Sequence, residues 1–181
     1  MSAAERQRLD QRAATDGTAW TVAFGDAWTA FRRDRLTTLV TRLATVAKAA
    51  RAGLVISASV DPNADDARAH LFQDWQAWAA GRVVDVVCST ASTPTLDEFT
   101  RAIAHARERA GATPVWAGIS ADRLPATGTA DHVRAARRAG VAGMLFFSYD
   151  SLAAADGRAA ANFAGLKRVL QETTSGSGTL R

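Results

Sequence analysis

Residues 75–88 read WQAWAAGRVVDVVC and contain the join between a helix and a buried strand. Trp75, Trp78 and Ala79 recur at the spacing of one helix face, so we expect the two tryptophans to pack between this helix and a sheet. Gly81 ends the helical pattern, and Val83–Cys88 follows as a nearly continuous apolar run. Such a run is typical of a parallel strand that is covered on both faces.

The same alternation of helix and strand extends through most of the chain. Three more apolar runs, Leu54–Val60, Pro114–Ile119 and Val141–Phe147, join the first at a spacing of about 30 residues, the size of one strand–helix unit. Between these runs, apolar residues recur at the spacing of a helix face. The sequence therefore predicts an α/β protein of four parallel βα units preceded by a helix. This alternation favours either a segment of a (β/α)8 barrel or an open flavodoxin-like sheet.

The N-terminal part differs, because a helix precedes the first clear strand. Its apolar residues form a stripe on one face, at Trp28, Phe31, Leu39, Leu43 and Val46. Ala19–Phe24 is a weak candidate for a short strand before it. A chain that opens on a helix is expected to be cut from something larger. We divide it into an arm (1–24), a half-barrel α/β domain (25–172) and a flexible tail (173–181).

Composition and charge exclude several classes of function. The 181 residues carry a formal charge of +4, but the basic residues are scattered and form no stripe with interleaved aromatics, so nucleic-acid binding is not predicted. Cys88 is the only cysteine, which excludes an intramolecular disulfide. No apolar run approaches the roughly 18 residues that span a bilayer. Residues 1–17 lack the apolar core of a signal peptide, and the compartment stays open.

No cofactor or metal is predicted. The glycines do not spell a phosphate loop or a dinucleotide fingerprint. His70, His105 and His132 lie in helical stretches and show no metal-ligand spacing. Cys88 ends a strand, where a buried cysteine is favoured over a nucleophile.

Several motifs follow one another in a recognisable order: Trp28–Arg33, Ile56–Val60, Gln73–Trp78 with Gly81–Asp85, Pro114–Ile119 and Gly143–Tyr149. In order and spacing, from about residue 25 to residue 155, they resemble the bacterial family 10-like glycosyl hydrolases, which are (β/α)8 barrels. The stretch from Gln73 to Asp85 is the most specific. The resemblance implies the C-terminal half of such a barrel and, as substrate, a polysaccharide such as a cell-wall glycan.

Two departures from the family pattern bear on activity. The family's first four strands, including a fourth-strand segment rich in Asp, Arg and Tyr, have no counterpart in this chain. A Pro-x-x-Tyr-like segment after the family's sixth strand is replaced by Cys88–Ser92, which has no aromatic ring. The resemblance therefore implies a divergent, truncated relative with an incomplete catalytic set.

Candidate site residues follow from the barrel architecture, in which chemistry lies at the carboxyl ends of the strands. Glycoside hydrolysis needs two carboxyl groups, and Asp61 and Asp150 are the candidate catalytic pair. Ser59, Asp122 and Tyr149 are candidate substrate-binding residues, Tyr149 because its ring can stack on a sugar. The alternative for each aspartate is a loop or helix N-cap. Asp85 lies inside an apolar strand, where we expect structural pairing, with an arginine as the candidate partner.

Three hypotheses stay open. The first is a glycoside-hydrolase-like protein that hydrolyses or binds a polysaccharide. The second is a non-catalytic carbohydrate-binding or structural remnant of the same fold, and the third is an unrelated small α/β domain with an open sheet. A half-barrel exposes two unpaired sheet edges, so we also expect a homodimer or a partner that supplies the other half.

Overall fold

The computed structural model describes residues 1–91, 93, 95–150 and 157–172. Its helices and strands, in chain order, are α1 (Ala3–Ala13), α2 (Ala19–Ala23), α3 (Gly25–Ala50), β1 (Ser57–Val60), α4 (Ala64–His70), α5 (Trp75–Ala80), β2 (Val86–Thr90), α6 (Leu96–Ala110), β3 (Val115–Ser120), α7 (Ala126–Arg138), β4 (Gly143–Phe147) and α8 (Gly157–Glu172). The predicted tail, residues 173–181, lies outside the described residues, as does Ser92.

The described strands form one parallel sheet in the order β1-β2-β3-β4. Ser57 lies opposite Val86, Val87 opposite Val115, and Trp116 opposite Gly143. The four predicted strands are confirmed, although each begins one to three residues later than its apolar run. The first residues of a run can be buried without pairing, as Val84 is at 2% exposure just before β2.

All the helices that pack on the sheet share one face of it. Strands added in chain order, each by a right-handed crossover, return their helices to the same side. A doubly wound sheet instead reverses its strand order and carries helices on both faces. The order of the described strands therefore differs from a doubly wound sheet and is consistent with a half-barrel.

Two apolar clusters hold the helices on the sheet. In the first, Trp75 and Trp78 of α5 pack against Val60 and Val87, which confirms the expected position of both tryptophans. The second cluster joins β3 to α6, α7 and α8 through the buried residues Phe99, Ile103, Ile119, Val133 and Leu166. Burying one such side chain stabilises the fold by roughly 1.5–3 kcal/mol.

The segment at Ala19–Phe24 is not a strand, because Ala19–Ala23 is helical. Trp20 and Phe24 stack with ring centroids 5.7 Å apart, which is the contact that two aromatic residues four apart make on a helix. Asp16 accepts hydrogen bonds from the backbone N–H and the hydroxyl of Thr18 just before this helix. The apolar composition of this segment indicated a strand, and that prediction was wrong. The four-residue spacing of the two rings favours the helix that the structure shows.

Helix α3 packs beside α5 through a face that the sequence did not indicate. Leu36 and Val40 contact the first cluster, and Thr37 Oγ1 accepts a hydrogen bond of 2.9 Å from Trp78 Nε1. The apolar stripe from Trp28 to Val46 instead faces away, with its members 41–68% exposed.

Asp85 ties α3 to the start of two strands. One carboxylate oxygen lies 2.8 Å from Lys48 Nζ, and the other accepts a 2.8 Å hydrogen bond from the Ile56 N–H. These interactions, first the Ile56 amide and then Lys48, hold the pKa of the Asp85 carboxyl below its ordinary value. The expected structural pairing is present, and the partner is a lysine rather than an arginine.

Replacing Asp85 by Asn should lower the free energy of unfolding at pH 7 by about 1 kcal/mol, since both groups are partly exposed and the ion pair is screened. The lowered pKa stabilises the fold above the unfolded value near 4, and this stabilisation is lost as pH falls through the folded pKa. Urea unfolding at pH 7 and at pH 3 measures both. Asp131→Asn, which removes an exposed pair with Arg134, is the control. Equal losses for Asp85→Asn at both pH values would contradict this role.

Candidate functional site

The candidate residues follow the carboxyl ends of the strands. They therefore lie along one end of the sheet, which we call the carboxyl-terminal edge. Asp61 follows β1, Asp122 follows β3, and Tyr149 and Asp150 follow β4. Thr90 is the last residue of β2, between the first two of these positions. In strand order, Asp122 is therefore the neighbour of the Tyr149–Asp150 segment, and Asp61 lies at the opposite side of the sheet.

One face of the sheet carries no helix among the described residues. We call it the open face. It is formed by the residues that alternate with the helix-packed ones, namely Ser57, Ser59, Val86, Cys88, Thr90, Trp116, Gly118, Ser120, Gly143, Leu145 and Phe147. A Cβ at Gly118 would lie 3.1 Å from Thr90 Cγ2 and 3.2 Å from Phe147 Cε1, so the glycine allows these two side chains to converge. Trp116 and Phe147 are only half-buried on this face.

Asp61 belongs to a tightly bonded loop. Its Oδ1 accepts a 2.8 Å hydrogen bond from the Asn63 N–H, and Asn63 in turn caps α4 by accepting from the amides of Asp65 and Asp66. The Asp61 N–H donates to Gln73 Oε1 at 3.1 Å. Sequence reasoning did not assign Gln73 a role in the site, although Gln73 belongs to the most specific motif of the chain.

The two hydroxyls nearest to Asp61 differ in exposure. Ser59 is exposed on the open face. Thr90 Oγ1 donates a 3.0 Å hydrogen bond to the Val60 carbonyl and so bridges the ends of β1 and β2. Ser59 is thus available to a ligand, whereas the Thr90 proton is already used in the fold.

The end of β3 contains buried oxygens that lack a hydrogen-bond partner among the described residues. They are Ser120 Oγ and Asp122 Oδ1, and Ser120 is only 5% exposed. A buried polar atom without a partner is costly, so such groups usually bind water or a ligand. Unpartnered buried atoms also occur elsewhere, as at Trp75 Nε1 and Thr129 Oγ1, so the pair shows only that polar groups lie at the end of β3.

Tyr149 and Asp150 are both exposed, with Tyr149 at 80%. The ring is free to cover a ligand that lies on the edge. Asp61 and Asp150 follow strands that are three interstrand spacings apart, or about 14 Å along a flat sheet. Carboxyl groups of glycosidases lie about 5–5.5 Å or 6.5–9.5 Å apart. Within one chain, the side chains of Asp61 and Asp150 would therefore have to approach each other by several ångströms.

The cysteine and the central histidine have structural environments. Cys88 is 2% exposed, and burial raises the pKa of its thiol, which a hydrogen bond with Ser57 offsets only in part. His132 is buried against Phe99, and its Nδ1 lies 2.8 Å from the Gly128 carbonyl. The buried-cysteine prediction is confirmed. Across the described ranges, no group of three or more His, Cys, Asp or Glu residues could bind a metal ion.

A cavity of the described structure lies at the opposite edge of the sheet, beside the amino ends of the strands. It has a volume of about 600 Å³, and its lining includes Arg82, Asp85 and Arg109. These residues flank the amino ends of β2 and β3. In barrel enzymes this edge serves stability rather than chemistry, so we do not place the site there.

The sequence model of the family described as glycosyl hydrolase-like 10 matches residues 5–124, about two thirds of the chain. The chain belongs to this family. No curated protein matches it. The glycosyl hydrolase-like 10 match begins and ends earlier than the resemblance that we drew from motifs. It includes Asp61 and Asp122 but stops before Tyr149 and Asp150, which are placed by the strand topology alone.

No helix among the described residues is both long and apolar enough to cross a membrane.

Replacing Gln73 by Leu should loosen the Asp61 loop without unfolding the protein. Loss of one hydrogen bond, worth about 1 kcal/mol, should speed hydrogen exchange of the Asp61 amide about fivefold. Gln76→Leu in the same motif is the matched control, because Gln76 lines the cavity at the opposite edge. Unchanged exchange in the Gln73 variant would show that this bond does not restrain the loop.

Proposed function

We propose that this glycosyl hydrolase-like protein acts on a polysaccharide, such as a cell-wall glycan, that lies along the carboxyl-terminal edge of the sheet. The observation that carries the proposal is the row of polar groups at that edge, from the exposed Ser59 to the half-buried Asp122 and the exposed Tyr149 and Asp150. Sugar hydroxyl groups donate and accept hydrogen bonds, and they match such a row better than an apolar ligand does. The half-buried ring of Phe147, the last residue of β4, supplies apolar surface at the same edge.

Within this proposal, Ser59, Asp122 and Tyr149 bind the sugar chain. Asp122 accepts hydrogen bonds from hydroxyl groups, and the exposed Ser59 donates or accepts at the β1 side. Tyr149 stacks its ring on a sugar face. Asp61 and Asp150 are the carboxyl pair: one protonates the leaving oxygen, while the other attacks the anomeric carbon or activates a water molecule.

A second candidate is carbohydrate binding without hydrolysis. It is favoured by the hydrogen bond between Asp61 Oδ1 and the Asn63 N–H, which gives this carboxylate a structural role in its turn. None of the four glutamates follows a strand, since Glu5 lies in α1, Glu98 and Glu108 lie in α6, and Glu172 is the last residue of α8. In this case the edge binds the glycan through the same contacts and no bond is broken.

The same proposal includes a second half-barrel, either another copy of the chain or a different polypeptide. In the described sheet, β1 and β4 each have a single neighbour. Unpaired edges of this kind attract further strands. A second half would also cover the open face, where Trp116, Leu145 and Phe147 are only half-buried.

Hydrolysis of cell-wall and plant polysaccharides by the purified chain, read as reducing ends, tests the proposal. Asp61→Asn and Asp150→Asn should each lower kcat at least a hundredfold, since each removes one acid/base group. Tyr149→Ala should mainly weaken binding, by about tenfold. Asp131→Asn, on α7 away from the edge, is the control. Full activity in both aspartate variants would overturn the assignment of the pair.

Glycan binding by the wild type in the absence of turnover, measured by calorimetry, would select the non-catalytic candidate. Binding should then weaken in Tyr149→Ala and in Asp122→Asn. Neither turnover nor binding with any polysaccharide would overturn the proposed function as a whole.

A further inference from the structure

Helix α3 exposes an apolar stripe along its whole length. Trp28, Phe31, Leu39, Leu43 and Val46 are 41%, 50%, 52%, 61% and 68% exposed. Val55, just before β1, continues the patch at 60%. A stripe at helical spacing normally faces a core, and here it faces away from the first cluster. Since α3 lies beside α5 and precedes β1, it is the end helix of the layer on the β1 side.

Two other features of the described sheet are also uncovered. One is the free edge of β1, whose backbone groups on that side pair with no described strand. The other is the open face, with Trp116, Leu145 and Phe147 only half-buried. A glycan or a lipid surface could cover apolar groups, but only another strand pairs with a parallel strand edge. The occupant is therefore a polypeptide that brings a parallel strand.

We propose that this occupant is a second copy of the chain, and that two copies close an eight-stranded barrel. Four strands in the order β1-β2-β3-β4 leave β1 and β4 as the edges. About a two-fold axis along the strands, β1 of each copy pairs in parallel with β4 of the other, and both junctions form at once. Closed symmetry of this kind removes every free edge.

Side-chain size on the open face supports closure by two copies. Barrel interiors stack in layers built from alternate strands. One set of layers combines Ser57 and Ser59 of β1 with Trp116, Gly118 and Ser120 of β3. The other combines Val86, Cys88 and Thr90 of β2 with Gly143, Leu145 and Phe147 of β4. Most of these side chains are small and only three are large, so two copies can face each other across the interior without overpacking.

The helix-packed side of β4 has apolar surface that the stripe of a second copy can cover. On β4, the side chains that face the helices, Met144 and Phe146, are only half-buried. Helix α8 packs closely on α7, where a Cβ at Gly165 would lie 2.7 Å from Ala126 Cβ. At the junction, α3 of the second copy lies outside the β4–β1 pair and covers Met144 and Phe146.

The area is sufficient for a stable dimer. Each stripe residue leaves on the order of 100 Å² in water, taking roughly 150–250 Å² for a large side chain. With Val55 and the open face, one copy offers close to the ~800 Å² that each partner buries in an interface of standard size.

Closure also changes the candidate site, and this step rests on the proposed function. Within one chain, Asp61 and Asp150 follow strands three spacings apart. Across a junction they follow neighbouring strands, about 5 Å apart. That separation suits the carboxyl spacing of glycosidases. Each dimer would then contain two equivalent sites, each combining Asp61 of one copy with Asp150 of the other.

Light scattering coupled to size-exclusion chromatography at tens of micromolar should give twice the 19.1 kDa of one chain. A folded monomer over this range would overturn the dimer, even if a different polypeptide were then found to bind. A higher or open-ended mass would contradict closure by two copies.

Leu43→Arg should convert the dimer to a monomer, because it places a charge in the stripe. Its side chain is 61% exposed, so the monomer itself should tolerate the change, and circular dichroism checks the fold. Ala104→Arg adds the same charge on the exposed side of α6 and should leave the mass unchanged. Leu39→Arg is the second variant on the stripe, in case Leu43→Arg does not fold. Dimers in both folded variants would overturn the use of the stripe.

Mixing the Asp61→Asn and Asp150→Asn variants tests the shared site. After subunit exchange, half of the dimers are mixed and each has one intact junction, so about a quarter of the wild-type activity should return. No gain over the separate variants, with an active wild type, would overturn the shared site. An inactive wild type that is still a dimer would count against the proposed function alone.

Discussion

Every strand of the described sheet joins on the same side of the strand before it. With right-handed crossovers, this sequential addition puts each connecting helix on one face. The helix-packed face gains two apolar clusters and becomes a stable core. The opposite face carries no such cluster: Cys88 is buried there, but Trp116, Leu145 and Phe147 are partly in water. The open face thus follows from the handedness of the crossovers, and the strand order leaves β1 and β4 as free edges of the described sheet.

The most specific motif of the family supports the scaffold more than it supplies reacting groups. Trp75 and Trp78 fill the first cluster, and Asp74 lies 3.2 Å from Arg68 Nε. Asp85 joins Lys48 to the start of β1, and Gln73 restrains the backbone at Asp61. These groups fix β1 relative to β2 and α3. Their effect on chemistry is indirect, because they set the position of the loop that presents Asp61.

The candidate site is spread over the whole carboxyl-terminal edge. Asp61 lies at one side, Tyr149 and Asp150 at the other, and the unpartnered oxygens of Ser120 and Asp122 lie between them at the end of β3. A distribution of this kind places strong demands on geometry, since two carboxyl groups must come within a few ångströms of each other to cleave one bond. In the proposed dimer, closure of the barrel would meet this demand by bringing the β1 and β4 edges of the two copies together.

The sequence by itself determined the alternation of helices and strands, the burial of Trp75, Trp78 and Cys88, and the pairing of Asp85. These features depend on local periodicity and on the cost of burying a charge, and both can be read from neighbouring residues. Only the tertiary structure decided which face of α3 packs, that Gln73 supports Asp61, and that helices cover a single face of the sheet. The reason is that an apolar stripe predicts only that one face of a helix is covered by other apolar groups. Which element provides the cover depends on strands and helices that lie far away along the chain.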